Sequence, residues 1–277
     1  VVAVVRRLTG VRRVGHGGTL DPSAAGVLLV AVGRATRLVD YVAVQDKCYC
    51  GDVVLGAATD TDDSEGNVLY ARDPSAITLD QVVAALSGFL GEIDQVPPQY
   101  SAVKLQGKRA YEIARKGGKA RLAPRRVTIM GLSVVAWEPP TLSLVIRCSK
   151  GTYIRSLARD LGERLGVGAH LGALVRLASG PFTIEDAVGI EDLRLAAEFG
   201  YLDGQILPPD LAVAGLPTVI ASRRHTADMR GGRRWPARGV PPKLGPVRVY
   251  SEEGDFLGLA ELEEGCWQPK LVFSEEE

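Results

Sequence analysis

The sequence predicts an α+β protein with a mixed, largely antiparallel sheet flanked by helices, followed by a small all-β module. Three observations carry this. Strand-like and helix-like segments succeed one another without the regular alternation of a doubly wound parallel sheet. The 277 residues, 46% of them hydrophobic, suffice to bury the core of one large domain and one small one. Past Ile206 the character changes: Pro208-Pro209, Pro217, Pro236 and Pro241-Pro242 punctuate short β-rich runs. The expected division is therefore 1–205 and 206–277.

The elements follow from pattern. Val1–Leu8 reads as a helix end stopped by Gly10. Val11–Gly26 is glycine-rich and irregular, and Val27–Val32, between Gly26 and Gly33, is a short buried strand. Ala35–Val44 is helical, Cys48–Leu55 alternates as a strand, and Ala57–Asn67 is an acidic, solvated loop. Thr78–Leu90 is an amphipathic helix with Leu79, Val82, Val83, Leu86 and Leu90 on one side. Val96–Ser101, with two prolines, is extended, and Arg109–Arg115 is a short helix ended by Gly117-Gly118. Val127–Trp137 and Leu142–Cys148 pair as strands, Thr152–Leu165 is a helix ended by Gly166, Leu171–Leu177 is a strand and Ile190–Glu198 a helix. Val247–Tyr250 and Phe256–Leu259 are strand-like runs of the terminal module.

Charge sets limits on function. Lys+Arg and Asp+Glu both number 33, which excludes a uniformly basic nucleic-acid binder. The placement is uneven, however. Lys104, Lys108, Arg109, Arg115, Lys116, Lys119, Arg121, Arg125 and Arg126 face Glu112 alone within 101–130. Arg223, Arg224, Arg230, Arg233, Arg234, Arg238, Lys243 and Arg248 face Asp228 alone within 221–248. Two such runs favour a polyanion over a merely solvated face. Acid collects in Asp60–Glu65 and in the tail Glu275–Glu277.

Cys48, Cys50, Cys148 and Cys266 match neither a disulfide framework nor a zinc pair, and His16, His170 and His225 are isolated. The loop Asp60–Gly66 has its glycine out of register for calcium, and no Gly-x-Ser-x-Gly is present. No metal or cofactor is expected. With no signal peptide and no apolar run near 18 residues, the expected location is the cytoplasm, away from membranes.

Two segments carry chemistry. In Gly15-His16-Gly17-Gly18-Thr19-Leu20-Asp21-Pro22 an acid is displayed on a loop stiffened by proline and flanked by glycines. Taken alone, this reads more readily as an ordinary turn. In Lys150-Gly151-Thr152-Tyr153-Ile154-Arg155 a helix begins whose apolar stripe is Ile154, Leu157, Ala158, Leu161 and Leu165. Arg155 lies off that stripe in the first turn, where the helix dipole disfavours a cation. A carboxylate across a cleft would offset this, and a plain surface arginine is the competing reading.

Together these segments resemble the TruB family of bacterial tRNA pseudouridine-55 synthases. Gly15–Pro22 is similar to that family's signature, and Lys47-Cys48-Tyr49 to its Lys-x-Tyr strand. Pro97–Lys104 with Gly107–Tyr111, Lys150–Arg155, and Gly168-Ala169-His170 through Leu174 and Leu177 resemble its further blocks in the same order. The stretch from about 206 resembles a PUA-type RNA-binding module more weakly, through Phe256–Ala260 and Pro269–Phe273. The resemblance implies a pseudouridine-synthase catalytic domain and a PUA-like terminal domain. It implies an isomerase that acts on the tRNA T-stem-loop by base flipping, without cofactor or obligate protein partner. It also implies roles: Asp21 as essential carboxylate, Tyr49 stacking on the uracil and taking the C5 proton, and Arg155 pairing with Asp21. Tyr153 and Leu174 would line the pocket, and His16 would contact RNA near the flipped base. Independently of the resemblance, the basic run points to Lys104, Lys108 and Arg109 as phosphate contacts. The family's opening strand, with its Lys-Pro pair, has no counterpart ahead of Val1, so a preceding segment is expected to lie outside this sequence.

A carboxylate suits the electron-poor sugar left as a glycosidic bond breaks, whether it bonds to C1′ or takes the C2′ proton. Flipping the base costs a few kcal/mol, and stacking on an aromatic such as Tyr49 returns about 1–3 kcal/mol. Two rivals remain at this level. A non-catalytic RNA-binding protein would not need Asp21. A nucleoside hydrolase would need a second acid to activate water.

Overall fold

The structure, a computed structural model, describes residues 1–105, 107–118, 120–237, 239 and 245–273. Lys119, Arg238, Pro241, Pro242, Lys243 and the acidic tail Glu275–Glu277 lie outside the described residues. The chain forms two compact units that do not follow one cut: Gly18–Leu28 with Val44–Ala187, and Val1–Gly17 with Leu29–Ala43 and Val188–Glu277.

The first unit is built on a seven-stranded sheet. Its order is Phe182–Thr183, Ala169–Ser179, Lys47–Leu55, Thr141–Cys148, Arg125–Glu138, Gly91–Gln95, with Ala25–Gly26 alongside Ala169–Ser179. Every pairing is antiparallel except the short one of Ala25–Gly26, so the sheet is mixed and largely antiparallel, as expected. Alternation decides which face is buried. In Thr141–Cys148 the even positions Leu142, Leu144, Ile146 and Cys148 are buried, and in the next strand Val53 and Leu55 are. Helices Leu79–Ser87 and Ile154–Arg164 contribute Val82, Ala85, Leu86, Leu157, Ala158 and Leu161 to the same core. Removing one of these leucines to alanine costs about 2–5 kcal/mol.

Helix Leu79–Ser87 starts at a capping box, in which Thr78 and Gln81 satisfy each other's backbone N–H groups. Its buried stripe is narrower than the sequence suggests. Val82, Ala85 and Leu86 are inside, while Leu79, Val83 and Leu90 are exposed. Helix Ile154–Arg164 reaches the sheet closely at Gly162, where a Cβ would stand 2.1 Å from the Ala169 nitrogen.

In the second unit a five-stranded sheet runs Thr218–Ala221, Val247–Ser251, Phe256–Glu263, Cys266–Val272, Trp235–Pro236. Met229, Trp235, Val247, Val249, Leu257 and Trp267 form one core, and Leu38, Val213, Leu259 and Leu271 a second. Met229 comes from helix Arg223–Arg230, which the sequence reading did not place. Apart from that methionine the segment is polar and arginine-rich, so it shows no helical apolar stripe. The continuous strand expected over Val27–Val32 is not found: the strand covers Val30–Val32, and Val27 belongs to the other unit's loop. Ala35–Val44 is a 3-10 turn, Gly33–Leu38, followed by helix Val39–Ala43. Among the described residues no helix is long and apolar enough to cross a membrane.

Candidate active site

Asp21 sits on the loop Gly18–Leu28, which is fixed at its far end. Ala25 and Gly26 pair in parallel with Val175 and Arg176, and the Val27 N–H donates to the Arg176 carbonyl at 2.9 Å. Glycine is required at position 26. Its φ is +96°, and a Cβ there would stand 2.2 Å from the Arg176 carbonyl oxygen. Closer to the acid, the Ala24 N–H donates to the Asp21 carbonyl at 3.0 Å and closes the turn. The Asp21 side chain remains 35% exposed.

Arg155 reaches this carboxylate from the first turn of helix Ile154–Arg164. Its Nη2 donates to Asp21 Oδ1 at 2.9 Å, and its Nε stands 2.8 Å from Oδ2. The Nε contact is one of charge rather than an aligned hydrogen bond. The guanidinium is 6% exposed and otherwise held by the Tyr100 carbonyl at 2.9 Å and the Thr61 carbonyl at 3.1 Å. It is no surface arginine. The unfavourable first-turn position is offset by this pairing.

A second carboxylate completes the arrangement. Asp63 Oδ2 lies 3.3 Å from Arg155 Nη1, so one guanidinium bridges Asp21 and Asp63. The reading of Ala57–Asn67 as a solvated loop is corrected here. Asp62 is 8% exposed and ion-paired with Arg159 at 2.8 Å. The loop is also pinned through Leu171 N–H to the Asp62 carbonyl and Ser64 N–H to the Leu171 carbonyl. Arg159 further donates to the Val96 carbonyl at 2.9 Å and pairs with Asp160. Burial pushes the Asp62 carboxyl up to about 6, against the pull of Arg159. The sequence signal for all this was slight: arginines at positions 155 and 159 of one helix face, and an acidic cluster far away in the chain.

Tyr49 lies in the strand Lys47–Leu55, directly across the ladder from Arg176, and packs against the main core. Burial raises its phenol above the ordinary range; the charge of Arg176 opposes the rise, and Asp21 adds to it. Leu174 packs on the same core. Its Cδ1 would lie 3.2 Å from a Cβ on Gly51, so the glycine makes room for it. Tyr153 is held through its backbone. The buried Gln95 amide accepts from the Tyr153 N–H at 2.8 Å and donates to its carbonyl at 3.0 Å, leaving the ring against Val103, Ala110, Ala120 and Leu122.

The other expected contacts are placed differently. His16 is exposed at the end of strand Val14–His16, in the second unit. Lys104, Lys108 and Arg109 are exposed on a two-stranded ribbon, with Lys104 opposite Arg109. Arg109 also stacks over Tyr111 at 5.9 Å. The basic run 221–248 is less available than its local composition implies. Arg223 meets Glu253, Arg233 meets Asp228 and Arg234 meets Glu264, acids supplied largely by strand ends distant in sequence. Among the described residues no group of three or more His, Cys, Asp or Glu could hold a metal ion.

This geometry can be set beside known proteins. Residues 6–154 match the pattern described as TruB family pseudouridylate synthase (N terminal domain). Residues 155–214 match the tRNA pseudouridylate synthase B C-terminal domain, and 217–273 match pseudouridine synthase II TruB, C-terminal. The chain is 41% identical over 274 residues to the tRNA pseudouridine synthase B of Dehalococcoides mccartyi strain CBDB1, covering 99% of this chain and 91% of that relative. It is 48% identical over 235 residues to the protein of that name from Symbiobacterium thermophilum, covering 84% and 77%. Among solved structures, a chain of an H/ACA RNP bound to a substrate RNA containing 2′-deoxyuridine aligns with TM-score 0.74 at 25% identity, over 99% of this chain and 80% of that one. A chain of a Cbf5-Nop10-Gar1 complex aligns with TM-score 0.71 at 27% identity, over 99% and 79%.

Proposed function

The chain belongs to the TruB family of pseudouridylate synthases and is an isomerase, and from that premise we propose its specific reaction: conversion of the T-loop uridine of tRNA, position 55, to pseudouridine. Residues 1–205 are the catalytic part and 206–277 an RNA-binding module. Given a tRNA substrate, the reaction belongs in the cytoplasm.

The observation that carries this reading is the carboxylate of Asp21, partly open to solvent and aimed by a buried arginine. A uridine in a loop can be flipped out of its stack. As N1 leaves C1′ the sugar becomes electron-poor, and a fixed carboxylate at that atom stabilises or traps it. The freed uracil turns, and C5 joins C1′. Tyr49 stacks on the uracil and takes the C5 proton, which restores the ring. Arg155 fixes the direction of Asp21, and Asp63 holds Arg155 from its other side. Tyr153 and Leu174 bound the base, His16 meets RNA beside it, and Lys104, Lys108 and Arg109 hold phosphates.

A hydrolase would need a free acid to activate water. Asp63 is the second acid here, and it is engaged by Arg155, by the Thr61 hydroxyl and by the Glu65 N–H. A purely RNA-binding role gives no reason to bury Arg155 against Asp21. The direct test is an unmodified tRNA transcript incubated with the protein and mapped chemically for pseudouridine. A single T-loop site is expected. Modification elsewhere, or none, would overturn the assignment.

A further inference from the structure

Arg176 is the largest side chain fully withdrawn from solvent, at 1% exposure. A buried guanidinium is ordinarily paired with a carboxylate. Arg155 obeys this with Asp21 and Asp63, and the half-buried Arg159 pairs likewise with Asp62 and Asp160. Arg176 has no carboxylate partner among the described residues. Lys47, also buried, is near enough that Arg176 makes its ammonium easier to deprotonate, second to the effect of burial itself.

The contacts of Arg176 are specific. Its Nε donates to the Val27 carbonyl at 2.6 Å, and its Nη2 reaches the Gly18 carbonyl at 3.4 Å. These are the two ends of the loop that carries Asp21. Tyr49 stands directly across the ladder from Arg176, and the guanidinium eases ionisation of its phenol against the larger, opposing effect of burial. The groups bearing on that phenol are Arg176, the Cys148 thiol and Asp21. Burial pushes Cys148 up to about 11, so it stays neutral near pH 7. Arg176 is thus the cation placed to favour negative charge on the Tyr49 oxygen.

We propose that Arg176 is a positioning residue for proton transfer at Tyr49: it holds the phenolic oxygen, stabilises it as phenolate, and with its other donors fixes both ends of the Asp21 loop. This rests on Tyr49 as the base of the proposed reaction. In that step the Tyr49 phenolate takes the proton from C5 of the rejoined uracil, and the electron pair of the C5–H bond restores the C5–C6 double bond. N1 gains a proton from water, and the phenol returns its own to water before the next turnover. No oxidant or reductant is involved.

The test compares Arg176→Met, which keeps length and loses charge, with Arg176→Lys, which keeps charge, on two tRNA transcripts. One carries uridine or 5-deuterouridine. The other carries 5-fluorouridine, from which no C5 proton can leave. Single-turnover rates are read against pH, together with tRNA affinity and thermal unfolding. Arg176→Met should lose about 100-fold or more on uridine, within the range of a lost general base. Its rate should rise only at higher pH, and a primary isotope effect should appear with 5-deuterouridine. Its loss on 5-fluorouridine should be at least about ten times smaller. Arg176→Lys should recover much of the uridine rate with a smaller isotope effect. Equal losses on both transcripts with no isotope effect would overturn the proposal and leave Arg176 as a loop anchor. If Arg176→Met does not fold, Arg176→Gln, which keeps a donor for the carbonyls and loses the charge, decides: an unchanged pH profile with no isotope effect rejects the proposal. Tyr49→Phe separates the premise from the inference. A fully active Tyr49→Phe removes Tyr49 as the base whatever Arg176 does.

Discussion

Replacing Arg155 with alanine removes at one stroke the cation that aims Asp21 and the tie between Asp21 and Asp63. Four contacts go: the carboxylate of Asp21 (2.8–2.9 Å), that of Asp63 (3.3 Å), and the carbonyls of Thr61 and Tyr100. Breaking a buried ion pair by deleting one partner costs about 3–5 kcal/mol. Asp21 is 35% exposed and can be rehydrated, whereas Asp63 at 13% is not so easily relieved. The expected loss of stability is therefore at or somewhat below the bottom of that range, about 2–3 kcal/mol. The catalytic loss should be larger. A misplacement of about 1 Å at a reacting group costs about 100-fold in rate, and here both the direction and the counter-charge of the carboxylate are lost. Turnover should fall about 100- to 10,000-fold, with tRNA affinity changed little because the basic ribbon is untouched. Arg155→Lys should recover part of the rate but not all, since an ammonium cannot present the planar fork. The assay is single-turnover pseudouridine formation on a saturating tRNA transcript, with chemical denaturation run in parallel. Near-normal turnover in a folded Arg155→Ala protein would refute the view that this ion pair aims the carboxylate.

Neutralising Lys104, Lys108 and Arg109 together should weaken tRNA binding and flatten log affinity against log salt by somewhat under about one unit per lost phosphate contact; an unchanged slope would make the ribbon a solvated surface. Asp62→Asn tests the buried pair with Arg159. The Asp62 carboxyl is raised from 3.8 to about 6, so the stability tied to its protonation is present below about pH 4 and lost as pH rises through about 6. Relative to Asp62→Asn, the wild type should thus lose about 3 kcal/mol across that window, and parallel stability curves for the two proteins would contradict it. Gly26→Ala puts a Cβ 2.2 Å from the Arg176 carbonyl at a φ of +96°. It should cost about 2 kcal/mol or more and reduce turnover by displacing the Asp21 loop; an unaltered melting temperature and rate would show that the loop is not held there.

The two motifs containing Asp21 and Arg155 were legible because glycines, a proline and an out-of-place cation are local signals. So were the main strands of the catalytic sheet, where alternation in Thr141–Cys148 matches burial residue for residue. What the sequence hid was pairing at long range. The acidic loop looked solvated because nothing nearby in the chain could neutralise it, yet Asp62 and Asp63 meet Arg159 and Arg155, more than ninety residues on. Arg176 was overlooked for the converse reason. Inside Leu174-Val175-Arg176-Leu177 it reads as the outward residue of a half-buried strand, and its burial depends on Gly18 and Val27 folding over it. The run 221–248 looked unopposed because Glu253 and Glu264 lie beyond it in sequence. Helix Arg223–Arg230 escaped notice because little apolar surface besides Met229 marks it.

The central claim, that Asp21 is the carboxylate by which this isomerase rebuilds one T-loop uridine of tRNA, is tested most directly by proton release. A tRNA transcript labelled with tritium at uridine C5 is incubated with wild type and with Asp21→Asn, and binding is measured on the same samples. Wild type should release one equivalent per tRNA, mapped to the T-loop. Asp21→Asn should release none while holding tRNA within a few-fold of wild-type affinity. Substantial release by Asp21→Asn, or release by wild type from uridines outside the T-loop, would contradict it.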